Sequence, residues 1–276
     1  QASGLVGNDA DGKWILNDCR ESGIDTERLN KTDLAPTSYT DAMSVASTGR
    51  RTFFHHVGAN ALLEASDLEL SRSNAKFFYL GYLLLLESLD KVDEEGQTGA
   101  GKLLKKATDL GFYTVVDLVS AQLGDFERVV FPTLPGIDTL LLNEFEAGAL
   151  LGRVLEEQDG GSLMDAAREI LGLGVREVVI VHSARGAVAV TSKGDSASHG
   201  SVRLPEKDIR GAAGAGDAFG AGVIMGLHEG RGLRDCIEWG VCSAAGCLTD
   251  PTTSGGVLEL SESLSLGEQF GFYEFK

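Results

Sequence analysis

The sequence predicts an α/β fold on a mostly parallel sheet, and three observations carry that prediction. Short apolar runs at 77–80, 113–118, 139–142 and 177–182 alternate with helical stretches at 102–110, 144–151 and 163–171. The connections between them are short, and such alternation puts crossover helices on both faces of a parallel sheet. With 276 residues the chain can build one large α/β domain or two small ones.

Taken in order, residues 4–29 read as a strand, a turn from Gly7 to Gly12 and a helix. That helix carries Trp14, Ile15, Leu16 and Cys19 on its apolar face and closes near Gly23. Segments 37–46 and 51–57, joined by Ser47-Thr48-Gly49-Arg50, form a β-hairpin. His55 and His56 are neighbours there and point to opposite faces, so they do not share a metal ion. Past the parallel run, 186–191 and 197–204 flank Lys193-Gly194-Asp195 as antiparallel strands near one edge. A buried helix then opens at Asp217, followed by helices over 233–248 and 263–270.

Bulk properties narrow the function. Lys and Arg total 24 against 41 Asp and Glu, and a net charge of −17 repels nucleic acid over most of the surface. A phosphate must therefore be met locally, by backbone N–H groups or a metal. The apolar run from Phe77 is broken by Gly81 and ends at Glu87, too short for a bilayer, and no signal peptide is visible. Cys19, Cys236, Cys242 and Cys247 lack a C-x-x-C pattern and read as free thiols of a cytoplasmic protein.

The segment richest in chemistry is Gly214-Ala215-Gly216-Asp217. A glycine turn opening a helix gathers free N–H groups and the positive end of the helix dipole at one point, which suits an anion. Asp217 in the first turn is either an ordinary helix-start residue or a proton acceptor beside that anion. Anion hole plus base is the equipment for moving a phosphoryl group onto a hydroxyl.

With Phe219, these residues resemble the Asp-Thr-x-Gly-Ala-Gly-Asp-x-Phe signature of the ribokinase-like (PfkB-type) sugar kinases. Gly211, Ala212 and Ala213 depart from its leading Asp-Thr. Gly7, Asp9 and Gly12 are similar to the family's glycine-aspartate turn, and Gly58-Ala59-Asn60 to the exit from its lid. The resemblance implies a three-layer α/β/α sandwich with a small β lid: core start at 1–36, lid at 37–60, nucleotide-binding and catalytic core at 61–276. The family's preceding strand, with a Gly-Gly and Asn substrate motif, has no counterpart, so the sequence looks like part of a longer one.

Further candidates follow the resemblance. Asn143-Glu144-Phe145-Glu146 stands where the family organises nucleotide phosphates and Mg²⁺, Glu146 acting through metal-bound water; by itself it also reads as a capping box. His182-Ser183-Ala184-Arg185-Gly186 occupies the nucleotide loop, with Gly186 kept and Ser183 at a usual glycine, while Arg185 reads as a solvated surface residue. Asp117 ends a strand where the family begins an Asp-x-Asn segment, with Val119 replacing the Asn, and equally suits a turn. Asp117 and Asn60 are taken as substrate-side residues. Gly255 lies in the 250–256 loop, which family members place beside adenine and a monovalent cation.

The resemblance implies an ATP- and Mg²⁺-dependent kinase acting on a hydroxyl of a sugar or sugar-derived alcohol. Asp217 takes the hydroxyl proton, and the amides of Gly214, Ala215 and Gly216 stabilise the transferring phosphoryl group. An adenosine-type nucleoside acceptor and a non-catalytic sugar or nucleotide sensor remain the alternatives. With no carboxylate at Gly211 and no hydroxyls at Ala212 and Ala213, a K⁺ site is expected to be weak or absent. Tyr39, Met43, Phe53 and Phe54, apolar on both hairpin faces, predict a homodimer through the lid.

Overall fold

A computed structural model describes residues 1–44, 51–120 and 125–276, with Ser44 and Arg51 as backbone only. The chain divides into two compact units. The first comprises Gln1–Ala75, Tyr82–Phe112 and Leu123–Thr133; the second comprises Lys76–Gly81, Tyr113–Gln122 and Leu134–Lys276.

In the first unit, β1 (Ser3–Gly7) leads into α1 (Ala10–Glu21) and pairs in parallel with β2 (Arg28–Thr32). Asp9 builds the turn between β1 and α1. Its carboxylate accepts from the Gly12 amide at 2.8 Å and from the Thr37 amide and hydroxyl at 2.7 and 2.6 Å. Those bonds, the Thr37 hydroxyl first, hold its pKa down at about 2. The turn is therefore architectural.

Leu16 is buried and Ile15 and Cys19 half-buried on one stripe of α1, but Trp14 lies outside that stripe and is 67% exposed. The expected apolar face is thus narrower than read, because residue 14 lies about 200° around the helix from residue 16. β2 was not foreseen: Arg-Leu-Asn-Lys-Thr has no apolar alternation, and its pairing with β1 makes it a strand.

The hairpin forms as β3 (Tyr39–Ser44) and β4 (Arg51–His56), antiparallel; its expected turn at 47–50 lies outside the described residues. Thr40 meets His55 at 2.7 Å, whereas Tyr39 stacks near His56 at 5.3 Å, so the two histidines do face opposite ways. The unit is completed by α2 (Glu87–Asp90), α3 (Gly99–Asp109) and α4 (Phe126–Val129).

The second unit holds a six-stranded sheet, introduced in chain order as β5 (Phe77–Leu83, its first five residues in this unit), β6 (Tyr113–Leu118), β7 (Thr139–Asn143), β8 (Val178–His182), β9 (Gly186–Thr191) and β10 (Ser196–Gly200). Their spatial order is 10-9-8-7-6-5; β6, β7 and β8 run parallel, and β9 and β10 add an antiparallel edge. β10 ends at Gly200, short of the expected 204, because the chain there leaves β9 and bridges to Phe272 through Val202.

Strand alternation sorts the apolar residues onto two faces. Leu141, Val178, Ile180, Ala187 and Ala189 pack with residues of α7 (Ala215–His228) and α8 (Leu233–Leu248). The opposite face is covered by α6 (Gly160–Gly172), preceded in the chain by α5 (Glu144–Leu151). This is the three-layer sandwich that the sequence implied. Its layers are close-packed; truncating fully buried Leu141 to Ala would cost about 2–5 kcal/mol.

α9 (Leu260–Phe270) packs on α8, whose three cysteines are buried and unpaired. α7 is not wholly buried as read: Asp217, Ala221 and Met225, four residues apart, leave one exposed stripe. Among the described residues, no helix is long and apolar enough to cross a membrane.

Candidate active site

The start of α7 is built by its glycines. Gly214 adopts φ +82°, and a Cβ there would run into the Thr253 carbonyl, so this N-cap admits glycine alone without strain. No side chain caps the helix. The Ala215 amide turns back to the Ala212 carbonyl at 3.4 Å, so the next N–H groups, those of Gly216 and Asp217, carry the positive end of the dipole.

Two cavities flank this first turn. One, of about 610 Å³, is bordered by Ala215, Gly216 and Phe219, and reaches from Asn143 and His182 to the apolar Val241, Ala244 and Leu248 of α8. The other, of about 490 Å³, is bordered by Gly214, Asp217, Ala218 and Ala221, with Ser243, Thr253 and Ser254 across from them. Ala215 and Gly216 thus border the first space, and Asp217 the second.

At the end of β7, Asn143 and Glu146 close a capping box: the Glu146 amide donates to Asn143 Oδ1 at 2.8 Å and the Asn143 amide to Glu146 Oε2 at 2.9 Å. Ser120 adds a bond from its hydroxyl to Glu146 Oε1 at 2.7 Å, and receives one from Asn143 Nδ2 at 2.8 Å. Burial pushes the Glu146 carboxyl upward against these bonds. Asp117, buried at the end of β6, is raised well above the usual range by desolvation first and by the charges of Glu146 and Asp217 after it. The three carboxyls therefore sense one another without forming a chelate. Among the described residues, no group of three or more His, Cys, Asp or Glu is arranged to hold a metal.

Both Glu146 oxygens already accept bonds from protein. A Mg²⁺ ion, which keeps several of its waters, fits such a carboxylate through water rather than by direct ligation.

Of the remaining sequence candidates, Ser183 borders the larger cavity while its hydroxyl donates to the Glu157 carbonyl at 2.7 Å. Gly186 points away from that cavity, onto the His199 carbonyl and the Phe275 ring. The Gly255 amide donates to Thr252 Oγ1 at 2.9 Å, and the residue borders neither cavity. Asn60 belongs to the first unit, where its side-chain Nδ2 donates to Ser38 Oγ at 3.2 Å.

Three residues gain a place that sequence reasoning missed. His182 lines the larger cavity, stacks on Phe219 at 4.7 Å, and is driven down to about 4 by desolvation, so its ring is neutral. Arg185, read as a solvated residue, instead stacks on the Tyr273 ring at 4.0 Å, and both border the cavity. Alternation along β8 could have turned His182 inward; no local signal marks Tyr273, which arrives from the far end of the chain.

The pfkB family carbohydrate kinase profile matches residues 1–259. Ribokinase from Haemophilus influenzae is 28% identical over 264 residues, covering 95% of this chain and 79% of the relative. Adenosine kinase from Saccharomyces cerevisiae is 27% identical, covering 88% and 69%. Among solved structures, Arabidopsis thaliana ribokinase complexed with ribose and ATP superposes with a TM-score of 0.74 at 21% identity, covering 96% of this chain and 80% of that one.

Proposed function

The chain belongs to the pfkB family of carbohydrate kinases, and from that premise we propose that it transfers the terminal phosphoryl group of ATP to a hydroxyl of a sugar or sugar-derived alcohol. The observation that carries this reading is the first turn of α7, with a cavity on either side of it. The larger, with its apolar α8 wall, receives the nucleotide; the smaller, with Asp217, receives the acceptor.

Asp217 accepts the proton as the acceptor oxygen bonds to the γ-phosphorus and the bond to the β–γ bridging oxygen breaks, releasing ADP. The Gly214, Ala215 and Gly216 amides stabilise charge on the moving phosphoryl group. Asn143 fixes the phosphates, and Glu146 would hold Mg²⁺ through water, the ion supplying neutralisation of phosphate charge. Ser183 borders the nucleotide side; the structure gives Gly186 and Gly255 no place on either cavity, and it gives Asp117 and Asn60 none on the acceptor cavity.

A coupled ADP-release screen over sugars, sugar acids and nucleosides tests the reading. Turnover with a sugar and none with nucleosides is expected. The yeast adenosine kinase relative supports the nucleoside alternative, which wins if adenosine alone turns over; ligand binding with no ADP release on any acceptor would mean a sensor.

Three finer features complete the proposal. The exposed Tyr39, Met43, Phe53 and Phe54 of β3 and β4, each more than half exposed, form a homodimer surface, and a sedimentation coefficient of a monomer at high micromolar concentration would refute it. Gly211 abuts the Asp250 and Pro251 backbone and offers no carboxylate, so exchanging K⁺ for a bulky organic cation changes activity little. The free thiols suit the cytoplasm.

A further inference from the structure

We propose that Arg185 is a phosphate-binding residue of the nucleotide cavity, and that the C-terminal segment holds it in place through Tyr273. The inference rests on the kinase reading and goes beyond it, since the turn that carries Arg185 keeps little of the family's loop.

Arg185 is the one cationic side chain bordering the 610 Å³ cavity among the described residues. In a chain of net charge −17, a nucleoside polyphosphate needs such a counter-charge. Among the described residues the only carboxylate on that border, Glu144, is pushed upward by burial, which lessens its opposition. The Arg185 guanidinium forms no hydrogen bond or ion pair among the described residues; its face lies on Tyr273, 4.0 Å from the ring centroid. Stacking spends the face of a guanidinium and leaves its in-plane donors available, which is the geometry that meets a phosphate with two N–H groups.

Tyr273 is itself fixed. Its amide donates to the Ser201 carbonyl at 2.9 Å, and the Ser201 amide donates to the Arg185 carbonyl at 3.0 Å, so ring and guanidinium are tied through one residue. Two positions on, Phe275 is buried against Gly186, next to Arg185 in sequence. Tyr273 is thus a positioning residue, and through it the C-terminal segment reaches the cavity wall.

The test is calorimetric titration of the whole chain with ADP and, separately, with adenosine, which lacks phosphate. Arg185→Gln is expected to weaken ADP binding about tenfold and adenosine binding less than twofold. Tyr273→Leu should weaken ADP several-fold, Tyr273→Phe should restore most of that loss, and Arg185→Gln with Tyr273→Leu should be no worse than Arg185→Gln alone. Equal losses for ADP and adenosine, additive losses in the double variant, or unchanged ADP binding in Arg185→Gln overturn the inference and leave the kinase reading standing. A wild-type chain that binds neither ligand overturns both.

Discussion

α5 and α7 both begin beside the larger cavity, and they satisfy their first N–H groups in opposite ways. α5 is closed by its own side chains, with Asn143 and Glu146 bonded reciprocally and Ser120 added to the box. α7 begins at a left-handed glycine and has no side-chain cap. A closed start spends its dipole on local stability, whereas an open one keeps it for an incoming anion. The difference separates two residues that look alike in sequence, each a carboxylate in a helical first turn: Glu146 is buried and bonded on both oxygens, and Asp217 is exposed at the mouth of a cavity.

The largest effect that could break this contrast is at Asp217. Asp217→Asn is expected to keep nucleotide binding and lower turnover by roughly 10²- to 10⁴-fold, and near-normal turnover would reduce Asp217 to a helix-start residue like any other. Next comes Gly214→Ala, which forces a Cβ toward the Thr253 carbonyl at positive φ. It should cost about 1–3 kcal/mol in denaturant unfolding and lower affinity for ADP; an unchanged midpoint would show that the open turn is not strained.

Asn143→Ala removes the cap bond from the Glu146 amide and the bond to Ser120 and should cost about 1–2 kcal/mol. If the box also serves the phosphates, the Mg²⁺ concentration for half-maximal rate rises as well; a purely structural box would change stability alone.

The smallest effect concerns Asp117. Its folded pKa lies above its unfolded value, so the folded state binds more protons and stability falls as pH rises from the unfolded value through the folded one. Asp117→Asn, which stays neutral, should flatten that fall in a melting-temperature series. An unchanged slope would place the proton elsewhere in the cluster.

Much of this was legible beforehand, and its limits are physical. β6, α5, β9 and α8 match the read boundaries, or nearly so, because apolar periodicity and caps act within a few residues. Trp14 and β2 were misread or missed, since exposure of a helical position and pairing of a polar strand depend on what lies alongside. Gly186 and Arg185 show the same division inside one turn: the glycine that matches the family's loop packs away from the cavity, and the arginine read as solvated borders it.

The sequence by itself determined the α/β class, the strand and helix succession and the glycine turn that opens α7, because each depends on local dihedral preference and periodicity. Only the tertiary structure decided which carboxylate is buried and which faces a cavity, and that the last residues return to seat Arg185. Burial, desolvation and stacking belong to neighbours that lie far apart along the chain.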